Sequence, residues 1–279
     1  MKTDNAFDTQ AMQAFEPEAK VGLLATVNPD GHPHITLITA MQAKTPGQMI
    51  WGQFTEGRSK AHVRSNPKTG FLILTMDRKL WRGKALWTHA VKEGEDYVMF
   101  NAKPMFRYNA YFGIHTVHYM DLVETYGRES LPLGSIIAAS LLTALSKGMA
   151  RTGIRERILK PWAQGLFNGM ATLKFLSYIG QDGFPVMIPL LQCQAADSRR
   201  LVFATSAYSD ELNAISDGAP VAVFALSMQM EDCLVRGTYH ARKSPLGLGS
   251  VDIDWVYNSM PPAPGQIYPE LPLQPVETF

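Results

Sequence analysis

Cysteine is scarce in this 279-residue sequence: Cys193 and Cys233 stand far apart, in no CxxC spacing and with no histidine in a metal-ligand pattern. Neither a disulfide framework nor a metal site is expected. A charge excess is missing too, since 26 Lys and Arg face 25 Asp and Glu for a net +1. Proteins that track phosphate backbones need a basic surplus, so nucleic acid is not the expected partner. The longest apolar run, 131–145, is broken by Pro132, Gly134, Ser135, Ser140 and Thr143. It falls short of the roughly 18 to 20 apolar residues that cross a bilayer, which predicts a buried or interface helix and no membrane span. The opening MKTDNAFDTQ lacks the basic start and apolar run of a secretory signal, so a cytoplasmic location is expected.

Apolar material is plentiful, at 46% hydrophobic and 10% aromatic residues. The length predicts two domains of roughly 100 to 150 residues each. An internal repeat organises them. VGLLATVNPDGHPHITLITAM at 21–41 aligns with LKFLSYIGQDGFPVMIPLLQC at 173–193, with Asp30, Gly31 and Pro33 matching Asp182, Gly183 and Pro185 at a constant offset of 152. Asp-Gly between β-rich runs marks a hairpin, because glycine supplies the positive φ such turns need. The match continues through 49–54 with 201–206, a short helical pattern in each, 69–76 with 219–227, and Arg82-Gly83 with Arg236-Gly237. Antiparallel strands joined by short turns, with one helix among them, favour closed barrels over a doubly wound sheet. The expected fold is mainly β with helices: two tandem split β-barrels joined by a helical connector.

The expected boundaries are a first barrel over 1–127, a connector over 128–171, a second barrel over 172–258 and a proline-rich arm over 259–279. In the first barrel, 96–108 looks helical and 116–124 reads as the closing strand; 249–257 closes the second. The connector looks helical from Pro132 to about Phe167, with Pro161 interrupting or restarting it. Its basic residues Lys147, Arg151, Arg155, Arg157 and Lys160 fit either an anion site or a solvated face, and the solvated face is favoured.

The segment WGQFTEGRSKAHVRSNP at 51–67 carries the chemistry. It leaves a strand, turns through Thr55, Glu56 and Gly57, and opens a helix with Arg58, Ser59 and Lys60 in its first turn. Unpaired amides and the positive end of the dipole make such a terminus attract phosphate. Cations there are unfavourable for the helix alone and are explained by a dianionic ligand. At the same offset the second copy has Asp210, Glu211 and Leu212. One copy is prepared for an anion, and the other has its charge reversed.

The sequence resembles the FMN-binding split barrels of the pyridoxamine 5'-phosphate oxidase-like superfamily. The resemblance rests on GHPHITLIT at 31–39, QFTEGRSKAH with its trailing NP within 53–67, and WRGKA at 81–85. It extends over residues 15 to 125 and, more weakly, 172 to 258. It implies FMN as cofactor, with Ser59 and Lys60 on the phosphate and Arg58 adjacent, Thr36, Leu37, Ile38 and Thr39 along the flavin, and Gln53 and Phe54 at the end of the next strand. It further implies paired barrels, with a residue near Lys79 or Trp81 reaching the flavin from the partner. Homodimer and intramolecular pseudo-dimer both satisfy that. The oxidase itself has an arginine and a lysine where this chain has Thr36 and Met41, so its substrate does not carry over.

The expected function is that of an FMN-dependent oxidoreductase moving hydride or electrons between a reduced cofactor, NAD(P)H among them, and a small molecule. The ring carries the redox chemistry, so no catalytic side chain is assigned. The alternatives are an electron carrier or sensor without turnover, a cofactor-free structural protein, and a haem-binding split barrel using a histidine among His32, His34, His115 and His118. Two histidines beside a turn are expected at the surface. The charge reversal predicts one FMN per chain, in the first barrel.

Overall fold

The computed structural model describes residues 3–53, 57–104, 113–242, 247–258 and 265–269. The chain forms two compact units, one of Met1–Pro132 with Ser177–Met187 and one of Leu133–Leu176 with Ile188–Phe279.

The first unit is a curled antiparallel sheet of β1 (Lys20–Val27), β2 (Pro33–Leu37), β3 (Met41–Thr45), β4 (Gln48–Gln53), β5 (Lys68–Thr75), β6 (Lys79–Val91) and β7 (Thr116–Ser130). Their spatial order is β2-β1-β5-β6-β7-β4-β3. Helices α1 (Thr9–Phe15), α2 (Arg58–Ser65) and α3 (Glu95–Ala102) pack against it. Continuous apolar runs such as FLIL in β5 are buried on both faces, as in a sheet covered on both sides. The core gathers Phe15, Leu24, Trp51, Phe71 and Trp81. Phe15 meets the Trp81 ring edge-on at 5.4 Å, an arrangement that adds to simple area burial. Arg82 is enclosed in this unit, where its guanidinium grips Glu129 through two hydrogen bonds of 3.0 and 2.6 Å and donates a third, of 2.7 Å, to the Met187 carbonyl.

The second unit begins with α4 (Leu133–Ser146), a 3-10 turn at Lys147–Ala150 and α5 (Pro161–Asn168). The second sheet is made of β8 (Leu173–Ile179), β9 (Pro185–Pro189), β10 (Gln194–Ala195), β11 (Arg200–Ala204), β12 (Pro220–Leu226), β13 (Asp232–Arg242), β14 (Leu248–Asn258) and β15 (Gly265–Tyr268), with α6 (Ser209–Asn213) after β11. The order β9-β8-β12-β13-β14-β11-β10 repeats that of the first sheet strand for strand.

The duplication persists to single hydrogen bonds. Gly31 N–H donates to the Asn28 carbonyl and Gly183 N–H to that of Gly180; Ile38 N–H donates to Gly22 and Leu190 N–H to Lys174. Each pair is displaced by the same 152 positions that the sequences share. Gly31 and Gly183 have φ of 80° and 79°, the left-handed conformation that the turn demands. Gly83 and Gly237 sit at matching bulges, where the opposing carbonyls of Glu124 and Asp252 occupy the space a Cβ would need.

Several elements differ from expectation. The short strands β3 and β10 were not expected, being too brief to show a period. The connector is not one helix: α4 ends at Ser146, 151–160 is irregular, and Pro161 restarts α5 at its first turn, where a missing N–H costs nothing. The closing strand β7 continues to Ser130. Helix α3 covers Glu95–Ala102, and 105–108 lies outside the described residues. Gly265–Tyr268 of the arm pairs with β14 and so joins the sheet.

Candidate functional site

The site is assembled around the amino end of α2. Gly57 caps the helix with extended backbone and no side-chain hydrogen bond, and no acid stands in the first turn. Ser59 is fully buried, and its Oγ finds no hydrogen-bond partner among the described residues. Lys60 is 7% exposed. Its Nζ folds back over the cap, to 3.3 Å from where a Cβ on Gly57 would lie. Burial and the dipole both disfavour a cation here, and a bound dianion would reverse both. A buried hydroxyl, an enclosed ammonium and the amino end of a helix are the donor set a phosphomonoester takes, so these residues fit the terminal phosphate of a mononucleotide. Arg58 and Arg64 are exposed along the same helix.

Gln53, at the end of β4, is 5% exposed and held by residues that no sequence motif marks. Trp87 Nε1–H can only donate, and it lies 3.2 Å from His118 Nδ1. Nδ1 is therefore an acceptor, the imidazole proton is on Nε2, and Nε2–H donates to Gln53 Oε1 at 2.8 Å. The amide of Gln53 is thereby fixed in one orientation. The His118 ring stacks on Trp51 at 3.8 Å and 1°. Burial, with the Lys60 and Arg64 cations adding to it, holds the His118 pKa down to about 3, so the relay is neutral at physiological pH.

A second group of polar side chains lies behind α2. His62 Nδ1 and Thr26 Oγ are 3.1 Å apart, and His34 meets the His62 ring edge-on at 5.1 Å. His34 is 1% exposed and His118 fully enclosed. These positions correct the expectation that the paired histidines are surface residues: alternation on β2 turns His34 toward α2 while His32 stays outside the strand. Both His118 nitrogens are already engaged, so that ring has no lone pair for an axial ligand.

The candidate residues do not all converge. Thr36 shares the face of β2 that carries His34, and is half-buried. Leu37 is the last residue of β2 and is also half-buried. Ile38 and Thr39 fall beyond the strand, contrary to the expected strand through 39: the Ile38 side chain enters the core, and Thr39 is in the turn toward β3. Phe54 lies outside the described residues. Lys79 and Trp81 belong elsewhere. Gln53 pairs with Thr116 at one end of β7, and Lys79 with Ser130 at the other, which is roughly 45 Å along the strand at about 3.3 Å per residue. Lys79 is ion-paired with Asp77 at 2.7 Å, and both it and Trp81 line a cavity of about 560 Å³ with Gln10, Gln13 and Met76. Among the described residues no group of three or more metal-ligating side chains is assembled.

Residues 8–116 match the family model described as pyridoxamine 5'-phosphate oxidase. No curated protein sequence matches the chain. Solved structures similar to it include an FMN-binding protein from Syntrophomonas wolfei, at 16% identity and TM-score 0.37 over 43% of this chain and 84% of that one. Group A Streptococcus HupZ is similar at 19% identity and TM-score 0.36 over 43% and 93%. An F420 reductase is similar at 18% identity and TM-score 0.34 over 42% and 97%.

Proposed function

We propose that the first barrel, whose residues 8–116 match the pyridoxamine 5'-phosphate oxidase family model, binds FMN and serves as a flavin-dependent oxidoreductase. The observation that carries the proposal is the orphaned Ser59 Oγ beside the enclosed Lys60 ammonium, at a helix start that holds no acid. Ser59, Lys60 and the first amides of α2 hold the phosphate. Arg58 and Arg64 raise the local potential for an incoming dianion. Trp87 and His118 fix the Gln53 amide at the rim where the ring enters, and Thr36 and Leu37 flank it from β2. FMN held there would supply hydride and electron transfer between a reduced nicotinamide and a small acceptor. The side chains position the ring and exclude water, and no acid–base residue is required.

Lys79 and Trp81 stand at the far end of β7 from Gln53. They serve a flavin in trans, across a pairing of first barrels, and cannot serve the flavin of their own barrel.

The test is the mass and absorption spectrum of the small molecule released on denaturing the purified protein. FMN is expected, with its bound form bleached by NADH or NADPH under anaerobic conditions. Lys60→Ala removes one charge-assisted contact, each about 1.5–3 kcal/mol, and should weaken FMN roughly 10- to 150-fold. Full retention of flavin by that variant would overturn the site.

A further inference from the structure

We propose that α4 and the basic stretch after it dock the protein on an anionic lipid surface. One face of α4 is committed to the second unit: Ile136, Ala139, Thr143 and Ser146 are buried, and Thr143 Oγ accepts from the Ala204 amide at 2.9 Å. The opposite face is an apolar ridge in steps of four residues. Along it Leu133, Ile137, Leu141, Leu145 and Met149 are 38, 61, 63, 83 and 71% exposed. Large apolar side chains scattered singly on a surface need no explanation, but a continuous row of five does.

The residues C-terminal to the ridge decide its occupant. Arg151, Arg155, Arg157 and Lys160 are exposed and Lys147 half-exposed, interleaved with Ile154 at 55% and Trp162 at 41% exposure. Glu156 is the one acid in 133–168, and it pairs with Arg199 at 2.8 Å. Among the described residues no carboxylate pairs with Arg151, Arg155 or Lys160. An apolar ridge alone would suit a second copy of this chain, yet a twofold pairing through this segment brings only Glu156, already paired with Arg199, to meet five cations. Anionic headgroups meet them, acyl chains take the ridge, and a tryptophan at the boundary suits an interface.

The helix lies on such a surface instead of crossing it. Leu133–Ala150 is apolar, with mean hydropathy 1.4 over 18 residues, but its α-helical part ends at Ser146. At about 1.5 Å per residue those 14 residues reach roughly 21 Å, short of the ~30 Å hydrocarbon core. Its other face is also hydrogen-bonded to β11.

Sedimentation with vesicles tests the proposal. The full chain should pellet with phosphatidylcholine vesicles containing phosphatidylglycerol, much less with phosphatidylcholine alone, and should be released by high salt. Arg151→Gln with Arg155→Gln should weaken partition roughly 30-fold, and Leu141→Ser with Leu145→Ser roughly 100-fold. Both pairs sit on exposed positions, so circular dichroism and melting temperature should match the parent and exclude misfolding. The proposal is overturned by a folded protein that ignores anionic vesicles or binds neutral ones equally well. It is overturned too by a leucine variant that binds unchanged, or one whose loss of binding accompanies conversion of a dimer to monomers.

Discussion

The two barrels share a topology and differ where a ligand would sit. Register gives the correspondence: Trp51 faces His118 across β4 and β7, and Phe203 faces Gly249 across β11 and β14. One step along, Trp87 faces Met120 while Tyr239 faces Val251. The first barrel's Trp51, His118 and Trp87 thus become Phe203, Gly249 and Tyr239. The imidazole that orients Gln53 is gone, and the Phe203 ring fills its place, 2.6 Å from where a Cβ on Gly249 would stand. Tyr239 donates its hydroxyl to the Leu212 carbonyl, near the end of α6, at 3.2 Å. At that helix Asp210 and Glu211 satisfy the dipole that α2 leaves open. The second barrel thus carries packed rings where the first carries a polar relay, on the same strand order.

The largest effect is expected at Arg82, because Arg82→Leu leaves Glu129 without its enclosed partner and should cost about 3–5 kcal/mol. Urea unfolding measures it, and a loss below about 1 kcal/mol would show that the first barrel does not depend on this pair.

A titration comes next. His118 is held down to about 3 when folded, against 6.5 for the free group. Between these values the unfolded chain binds more protons than the folded one, so stability falls as pH drops through the window. The slope is about 1.4 kcal/mol per pH unit, giving roughly 2 kcal/mol at pH 5. His118→Gln should flatten this slope below pH 6.5 in thermal melts; an unchanged slope would place the buried charge elsewhere.

Gly249→Ala should cost about 1–3 kcal/mol, because the Phe203 ring it meets is itself enclosed and cannot swing aside. Glu211→Gln should be smallest: within about 0.5 kcal/mol in stability and without effect on flavin content. Gain of a second flavin by that variant would show that charge alone had silenced the second site.

Local physics decides the features that were legible in the sequence. The Asp-Gly turns announce themselves because a positive φ is a property of single residues, and the repeat of turns located both barrels. The place of Ser59 and Lys60 in the first turn of α2 was legible because a helix start is built from consecutive residues. His118 was not: its role depends on Trp87 and Gln53, 31 and 65 positions away. A histidine alternating with buried apolar residues along the closing strand was the only trace it left. Lys79 and Trp81 show the same limit from the other side, since which end of a 15-residue strand they occupy is settled by register.

By itself, then, the sequence determined the duplication, the turn geometry and the unequal charges at the two helix starts, since each is written in neighbouring residues. Only tertiary structure decided which side chains share a pocket, that an arginine and a histidine would be enclosed, and which face of α4 would be left uncovered. Those outcomes depend on strand pairing and burial across tens of residues, and there the energy of a side chain is set by neighbours that the sequence does not place beside it.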